Sequence, residues 1–115
     1  MTLRVLVVDD DDLLRRATVR ILTAAGYQVT GMAPEQLGRA FTPVISFDAV
    51  LTDYDMPGID GYQVAEACAF YGVPVIGWTG GETERFPSYC RARIAKGPRA
   101  IGEVRAALAG VEAGL

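Results

Sequence analysis

Seven of the eight aspartates fall in two short stretches. Asp9, Asp10, Asp11 and Asp12 directly follow the apolar run Leu3-Arg4-Val5-Leu6-Val7-Val8, and Asp53, Asp55 and Asp60 follow Phe47-Asp48-Ala49-Val50-Leu51-Thr52. Acids that cap a helix accept its orphan backbone N–H groups and suit its dipole, which accounts for Asp11 and Asp12. A turn before Pro57-Gly58 is the plain alternative for Asp53. Neither accounts for Asp9 and Asp10, which continue a strand and belong at its end. Carboxylates converging on one pocket repel one another unless one takes a proton or a cation sits among them. Oxygen ligands at the end of a rigid sheet suit magnesium, which keeps several waters. Calcium would call for an Asp-x-Asp-x-Asp-Gly loop closed by a Glu, and the sequence has none.

The same residues exclude other chemistries. A flavin or dinucleotide phosphate needs a glycine- or hydroxyl-rich loop after the first strand, where four aspartates would repel it. No G-x-x-x-x-G-K-[ST] loop occurs. The chain has no histidine, so Ser-His-Asp and Cys-His catalysis and His-ligated zinc are out of reach, as is any role as a phosphohistidine donor. The net charge is −3, with no basic stripe for nucleic acid or an anionic membrane. A length of 115 residues allows one domain, 1–115, and with 50% apolar against 22% charged residues the chain is too apolar for disorder. No run reaches the length of a membrane span, and Met1-Thr2-Leu3-Arg4 leads straight into a strand, so a cytoplasmic location without a secretory signal is expected. Cys68 and Cys90 are too few for a disulfide scaffold and are expected to be reduced core thiols.

The elements that must hold these residues alternate from end to end. After the first strand, Leu14, Ala17, Ile21, Leu22 and Ala25 repeat at helical spacing, with Gly26 as the stop. Tyr27 to Met32 is a second strand, and Pro34 opens a short helix through about Phe41. The third strand, Phe47 to Thr52, precedes a Pro/Gly/Asp loop and a helix with Val64, Cys68 and Tyr71 on one face. Val73 to Trp78 is a fourth strand and Arg91 to Ala95 a weaker fifth, before a last helix with Ile101, Val104, Leu108 and Val111. Residues 80–90 must hold the fourth helix, but Gly80, Gly81 and Pro87 point to irregular turns there. Strand–helix alternation implies an α/β fold, a doubly wound five-stranded parallel sheet covered on both faces, with its ligand site beyond the carboxyl ends of the strands. Thr79 then ends the fourth strand and Lys96, the one lysine against ten arginines, ends the fifth. A hydroxyl and a compact ammonium beside a metal-bound carboxylate would suit a phosphoryl group on that carboxylate.

Over roughly residues 3–113 the chain resembles a response-regulator receiver domain. The resemblance is carried by Val7-Val8-Asp9-Asp10-Asp11, by Leu51-Thr52-Asp53-Tyr54-Asp55-Met56-Pro57-Gly58-Ile59-Asp60-Gly61, by Trp78-Thr79-Gly80 and by Ala95-Lys96-Gly97-Pro98. It implies a flavodoxin-like sheet in the order 2-1-3-4-5, with a shortened or irregular fourth helix in this chain. It implies Asp53 as phosphoacceptor, and magnesium held by Asp9, Asp10, Asp53 and the backbone carbonyl of Asp55. Thr79 and Lys96 would bind the phosphoryl oxygens. The donor would be a phosphohistidine on a sensor histidine kinase or phosphotransfer protein. The activity would be self-catalysed phosphotransfer and dephosphorylation within a two-component phosphorelay, rather than turnover of a free substrate. With no output region after the last helix, such a receiver is expected to stand alone and signal by protein contact. Asp55 and Gly81 stand where this family often tunes hydrolysis, so Asp55→Asn is expected to alter the adduct's lifetime.

Several positions depart from the family pattern. Sixteen residues separate Thr79 from Lys96, a short interval for a receiver. Arg93 stands where the family usually has an aromatic that moves with the Thr, leaving Phe86 or Tyr89 as substitutes. Gly80 replaces the more frequent alanine, and Gly97 separates Lys96 from Pro98. These departures motivate a second reading, a receiver that is not phosphorylated and acts only as a docking module. A third, a magnesium-dependent D-x-D phosphatase, is suggested by Asp53-Tyr54-Asp55 alone and lacks a substrate cap.

Overall fold

The computed structural model describes residues 2–115. Five strands, β1 (Arg4–Val8), β2 (Gln28–Met32), β3 (Ala49–Asp53), β4 (Val75–Thr79) and β5 (Ala92–Ala95), form one sheet in the order β2-β1-β3-β4-β5. All four pairings are parallel, with Val5 opposite Ala49, Val50 opposite Val75 and Thr79 opposite Ala95. Three α-helices cover it, α1 (Asp12–Ala24), α2 (Gly61–Tyr71) and α3 (Ala100–Ala113).

Side chains alternate across each strand, so one run of apolar residues feeds two cores. Val5, Val7, Leu51, Ile76, Trp78 and Ile94 face Leu22 of α1 and Val104, Leu108 and Val111 of α3. Leu6, Val8, Val50 and Val75 face Val64, Ala65 and Cys68 of α2. Because both faces are covered, every residue of β3 and β4 is buried. This is why those two segments read as continuous apolar runs rather than as alternating ones.

One expected helix is absent among the described residues, and the fourth is reduced to a turn, as expected. Pro34 to Phe41 does not form a helix; the crossover from β2 to β3 makes only the 3₁₀ turns Pro34–Leu37 and Thr42–Ser46. Gly38 and Phe41 both take positive φ, 71° and 55°, which no helix accommodates, and Pro43 removes another backbone donor. Leu37 and Val44 drop into the core from these turns and cover β1 and β3 in place of a helix. Between β4 and β5 there is a single 3₁₀ turn, Thr83–Arg85, as the glycines and Pro87 in that stretch suggested. Phe86, 1% exposed, fills the space that a helix would occupy. A Cβ on Gly77 would stand 2.6 Å from its ring, so a glycine in the middle of β4 is what lets the ring lie on the sheet. A Cβ on Gly61 would meet the Asp53 carbonyl at 2.6 Å, so α2 starts directly against the end of β3 for the same reason.

Parallel strands carry their carboxyl ends to one rim. β1 delivers Asp9 there, β3 Asp53, β4 Thr79 and β5 Lys96. The ladder continues past β5 through the Lys96 N–H, which donates to the Thr79 carbonyl at 2.9 Å.

Candidate functional site

Asp9 is fully buried, held where its N–H donates to the Met32 carbonyl of the neighbouring strand. Its Oδ1 accepts the Asp11 N–H at 2.9 Å. Its Oδ2 is buried and takes no hydrogen bond; the nearest cation, Lys96 Nζ, stands 3.9 Å away. Burial is the chief reason the Asp9 carboxyl titrates above the usual range. The Asp11 N–H and Lys96 oppose that rise, and the charges of Asp53 and Asp10 add to it. Oxygens of Asp9, Asp10 and Asp53 lie within 4.8 Å of one another, with Asp10 exposed and Asp9 and Asp53 buried. An orphan carboxylate oxygen inside a three-acid cluster is costly, about 1–3 kcal/mol for one unpaired buried group. A divalent cation among the three would offset that cost, and the all-oxygen donor set suits magnesium.

Asp53 ends β3. Its Oδ1 accepts two hydrogen bonds, from the Tyr54 N–H at 2.9 Å and from Lys96 Nζ at 3.1 Å. Its Oδ2 has no partner among the described residues. The Lys96 ammonium also lies 5.4 Å from the centroid of the Trp78 ring, which is buried just before Thr79. The buried Thr79 hydroxyl accepts from the Gly81 N–H at 3.0 Å and from Arg85 Nη2 at 3.1 Å. Thus Asp9, Asp10, Asp53 and Lys96 form one cluster, and Thr79 stands at the same rim.

The remaining acids do other work. Asp11 caps α1 by accepting the Leu14 N–H, and Asp12 pairs with Arg15 and Arg16. Asp60 caps α2, exchanging hydrogen bonds with Gln63 in a reciprocal capping box. Asp48 binds the Arg4 backbone and guanidinium, tying the starts of β3 and β1 together. The Asp55 side chain turns outward to Arg85, whose two-point hydrogen bonding holds its carboxyl below the usual range.

Arg85 escaped the sequence reading. One arginine in an irregular, polar stretch carries no periodic signal, and only the short return from β4 to β5 aims it at the rim. Of the two aromatics considered as partners for Thr79, Phe86 is locked in the core, edge-on to Tyr54 at 5.0 Å, and Tyr89 is half exposed. The partner Thr79 has instead is a guanidinium. The Gly97–Pro98 bond is trans.

Residues 5–92 match the family model described as the response regulator receiver domain. The probable transcriptional regulatory protein NarL of Mycobacterium tuberculosis is 42% identical over 77 residues, covering 62% of this chain and 34% of NarL. The two-component response regulator ARR11 of Arabidopsis thaliana is 37% identical over 87 residues, covering 72% of this chain and 17% of ARR11. The chain thus spans about a third or less of these two relatives. The CheY-like receiver domain protein of Methanospirillum hungatei JF-1 superposes with a TM-score of 0.75 at 25% identity, over 100% of both chains. No helix among the described residues is long and apolar enough to cross a membrane.

Proposed function

This chain belongs to the response regulator receiver domain family, and from that premise we propose that it accepts a phosphoryl group on Asp53 from a phosphohistidine donor. The observation that carries the reading is the Asp53 carboxylate itself. One oxygen is fixed by Tyr54 N–H and Lys96, the other is free, and a second carboxylate beside it has an orphaned oxygen. The free Oδ2 is the nucleophile. It forms the new O–P bond as the donor's N–P bond breaks and its electron pair returns to the imidazole nitrogen. Lys96 stays at the rim and offsets charge on the phosphoryl oxygens, and the Thr79 hydroxyl donates to another. Asp9, Asp10, Asp53 and the Asp55 backbone carbonyl would hold magnesium, which when bound neutralises and aligns the same oxygens. The adduct ends by hydrolysis.

The new dianion accepts from the Thr79 hydroxyl, whose oxygen already accepts from Gly81 and Arg85, so its arrival pulls on the 80–91 segment through those two bonds. That segment is the natural output element. We take the chain to work in the cytoplasm as a receiver unit within a two-component phosphorelay. Its partners are a sensor histidine kinase or phosphotransfer protein upstream and a protein target downstream. The missing fourth helix favours one rival, a docking module that is never phosphorylated, because the output face is reduced to one 3₁₀ turn.

Incubation with magnesium and acetyl phosphate separates the two. The expected result is one phosphoryl adduct by intact mass, absent in Asp53→Asn. Beryllofluoride with magnesium is expected to change Trp78 emission, since the Lys96 ammonium sits over that ring. Neither an adduct nor an emission change would leave the docking module as the function.

A further inference from the structure

Arg85 closes the 3₁₀ turn Thr83–Arg85, and the short return from β4 brings it back over the acceptor rim. Its Nη1 donates to Asp55 Oδ1 at 2.9 Å and its Nη2 to Asp55 Oδ2 at 2.8 Å. The same Nη2 donates to Thr79 Oγ at 3.1 Å. The guanidinium carbon lies 4.1 Å from the centroid of the Tyr54 ring, and its forked nitrogens serve all three acceptors. Gly81 makes the room: a Cβ there would stand 2.6 Å from Nη2 and push the guanidinium away. Two loops that flank Asp53 are therefore bridged by one side chain, and both oxygens of the Asp55 carboxylate are consumed by it.

We propose that Arg85 is a positioning residue for the acceptor site: it ties the Asp55 carboxylate to Thr79 across the rim and so keeps that carboxylate from orienting the water that hydrolyses the adduct on Asp53. This rests on Asp53 being the phosphoacceptor. In the hydrolysis, a water oxygen bonds to phosphorus, the P–O bond to Asp53 breaks, and the electron pair returns to the Asp53 carboxylate. A proton must leave the attacking water. Asp55 Oδ2 and the Thr79 hydroxyl touch the same nitrogen of Arg85, so without Arg85 a free carboxylate is left one hydrogen-bond step from the group that holds the phosphoryl oxygens. A carboxylate so placed accepts that proton and passes it to solvent. Clamped by Arg85, it cannot. The clamp is at the surface and opens part of the time, so a small share of the hydrolysis in the native protein still runs through Asp55.

The test is the decay of the adduct after loading with acetyl phosphate and magnesium and removal of the donor, followed by intact mass. Arg85→Ala is expected to shorten the half-life about tenfold, less than the roughly 10²–10⁴-fold of a fully positioned base, because the freed carboxylate is not fixed in place. Asp55→Asn keeps the backbone carbonyl and lengthens the half-life slightly. The double variant is expected to return to within about twofold of Asp55→Asn, because the two residues act as one unit. A purely structural role for Arg85, such as packing on Tyr54, would not be rescued by Asp55→Asn. Gly81→Ala, which displaces the guanidinium and leaves Arg85 in the chain, is expected to shorten the half-life as well, and it carries the test if Arg85→Ala fails to fold. Equal half-lives with and without the clamp, or a double variant as short-lived as Arg85→Ala, would overturn the proposal. An absence of adduct in the native protein is a different result, which removes the phosphoacceptor reading itself.

Discussion

Asp9 is the residue with the least reason to be charged where it is. It is buried, one oxygen has no partner, and two other carboxylates stand beside it. That arrangement destabilises the metal-free fold and is relieved by a cation. Asp9→Asn keeps an acceptor for the Asp11 N–H and removes the charge. It is expected to raise the metal-free melting temperature by roughly 3–8 °C, as one or two kcal/mol does in a domain of this size. Magnesium is expected to raise the melting temperature of the native protein by mass action and to leave that of Asp9→Asn nearly unchanged. Thermal unfolding with and without magnesium checks both, and a metal-free Asp9→Asn that melts below the native protein would count against this account. Asp53, by contrast, has its charge supported by the Tyr54 N–H and Lys96 on one oxygen, which leaves the other available.

At the scale of elements, the 80–91 segment does in one turn and one ring what a helix would do in several turns. Phe86 packs on Gly77, on the start of α2 at Gly61 and on Tyr54, so the segment is pinned at the residue next to Arg85. Phe86→Ala removes the one large side chain that closes this part of the core. It is expected to cost about 3–5 kcal/mol, the usual range for a fully buried aromatic. Chemical denaturation measures the loss, and a change under 1 kcal/mol would mean that the segment closes up over the sheet without the ring. The short crossover at 33–48 follows the same economy, with Leu37 and Val44 covering the sheet from 3₁₀ turns.

At the scale of the molecule, the pH range of stability has an alkaline limit set by the core under α2. Burial pushes the Cys68 thiol up to about 12, with the nearby Cys90 adding to the rise, and pushes Cys90 up to about 11. The unfolded chain loses these protons near the ordinary 9.0, before the folded one does. Stability is therefore fully present below pH 9 and falls as pH rises from there toward the folded values, by roughly 1 kcal/mol per pH unit for each thiol. Denaturation between pH 8 and 10.5 checks the slope, and Cys68→Ala is expected to flatten it; an equal slope in that variant would place its origin elsewhere. Much of this molecule could be read before any coordinates. The apolar runs, the helical spacing and the acids at two strand ends dictated a parallel sheet with a carboxylate rim, because burial on both faces and strand-end placement follow from local residue type. The loss of the second helix and the role of Arg85 could not be read in that way. Phe41 takes positive φ in the crossover to β3, a conformation that its residue type does not announce. Arg85 meets Asp55 and Thr79, 30 and 6 residues away, only because β3 and β4 are neighbours and the return between β4 and β5 is short. Contacts between distant segments are set by how the layers close on one another, and no local periodicity records them.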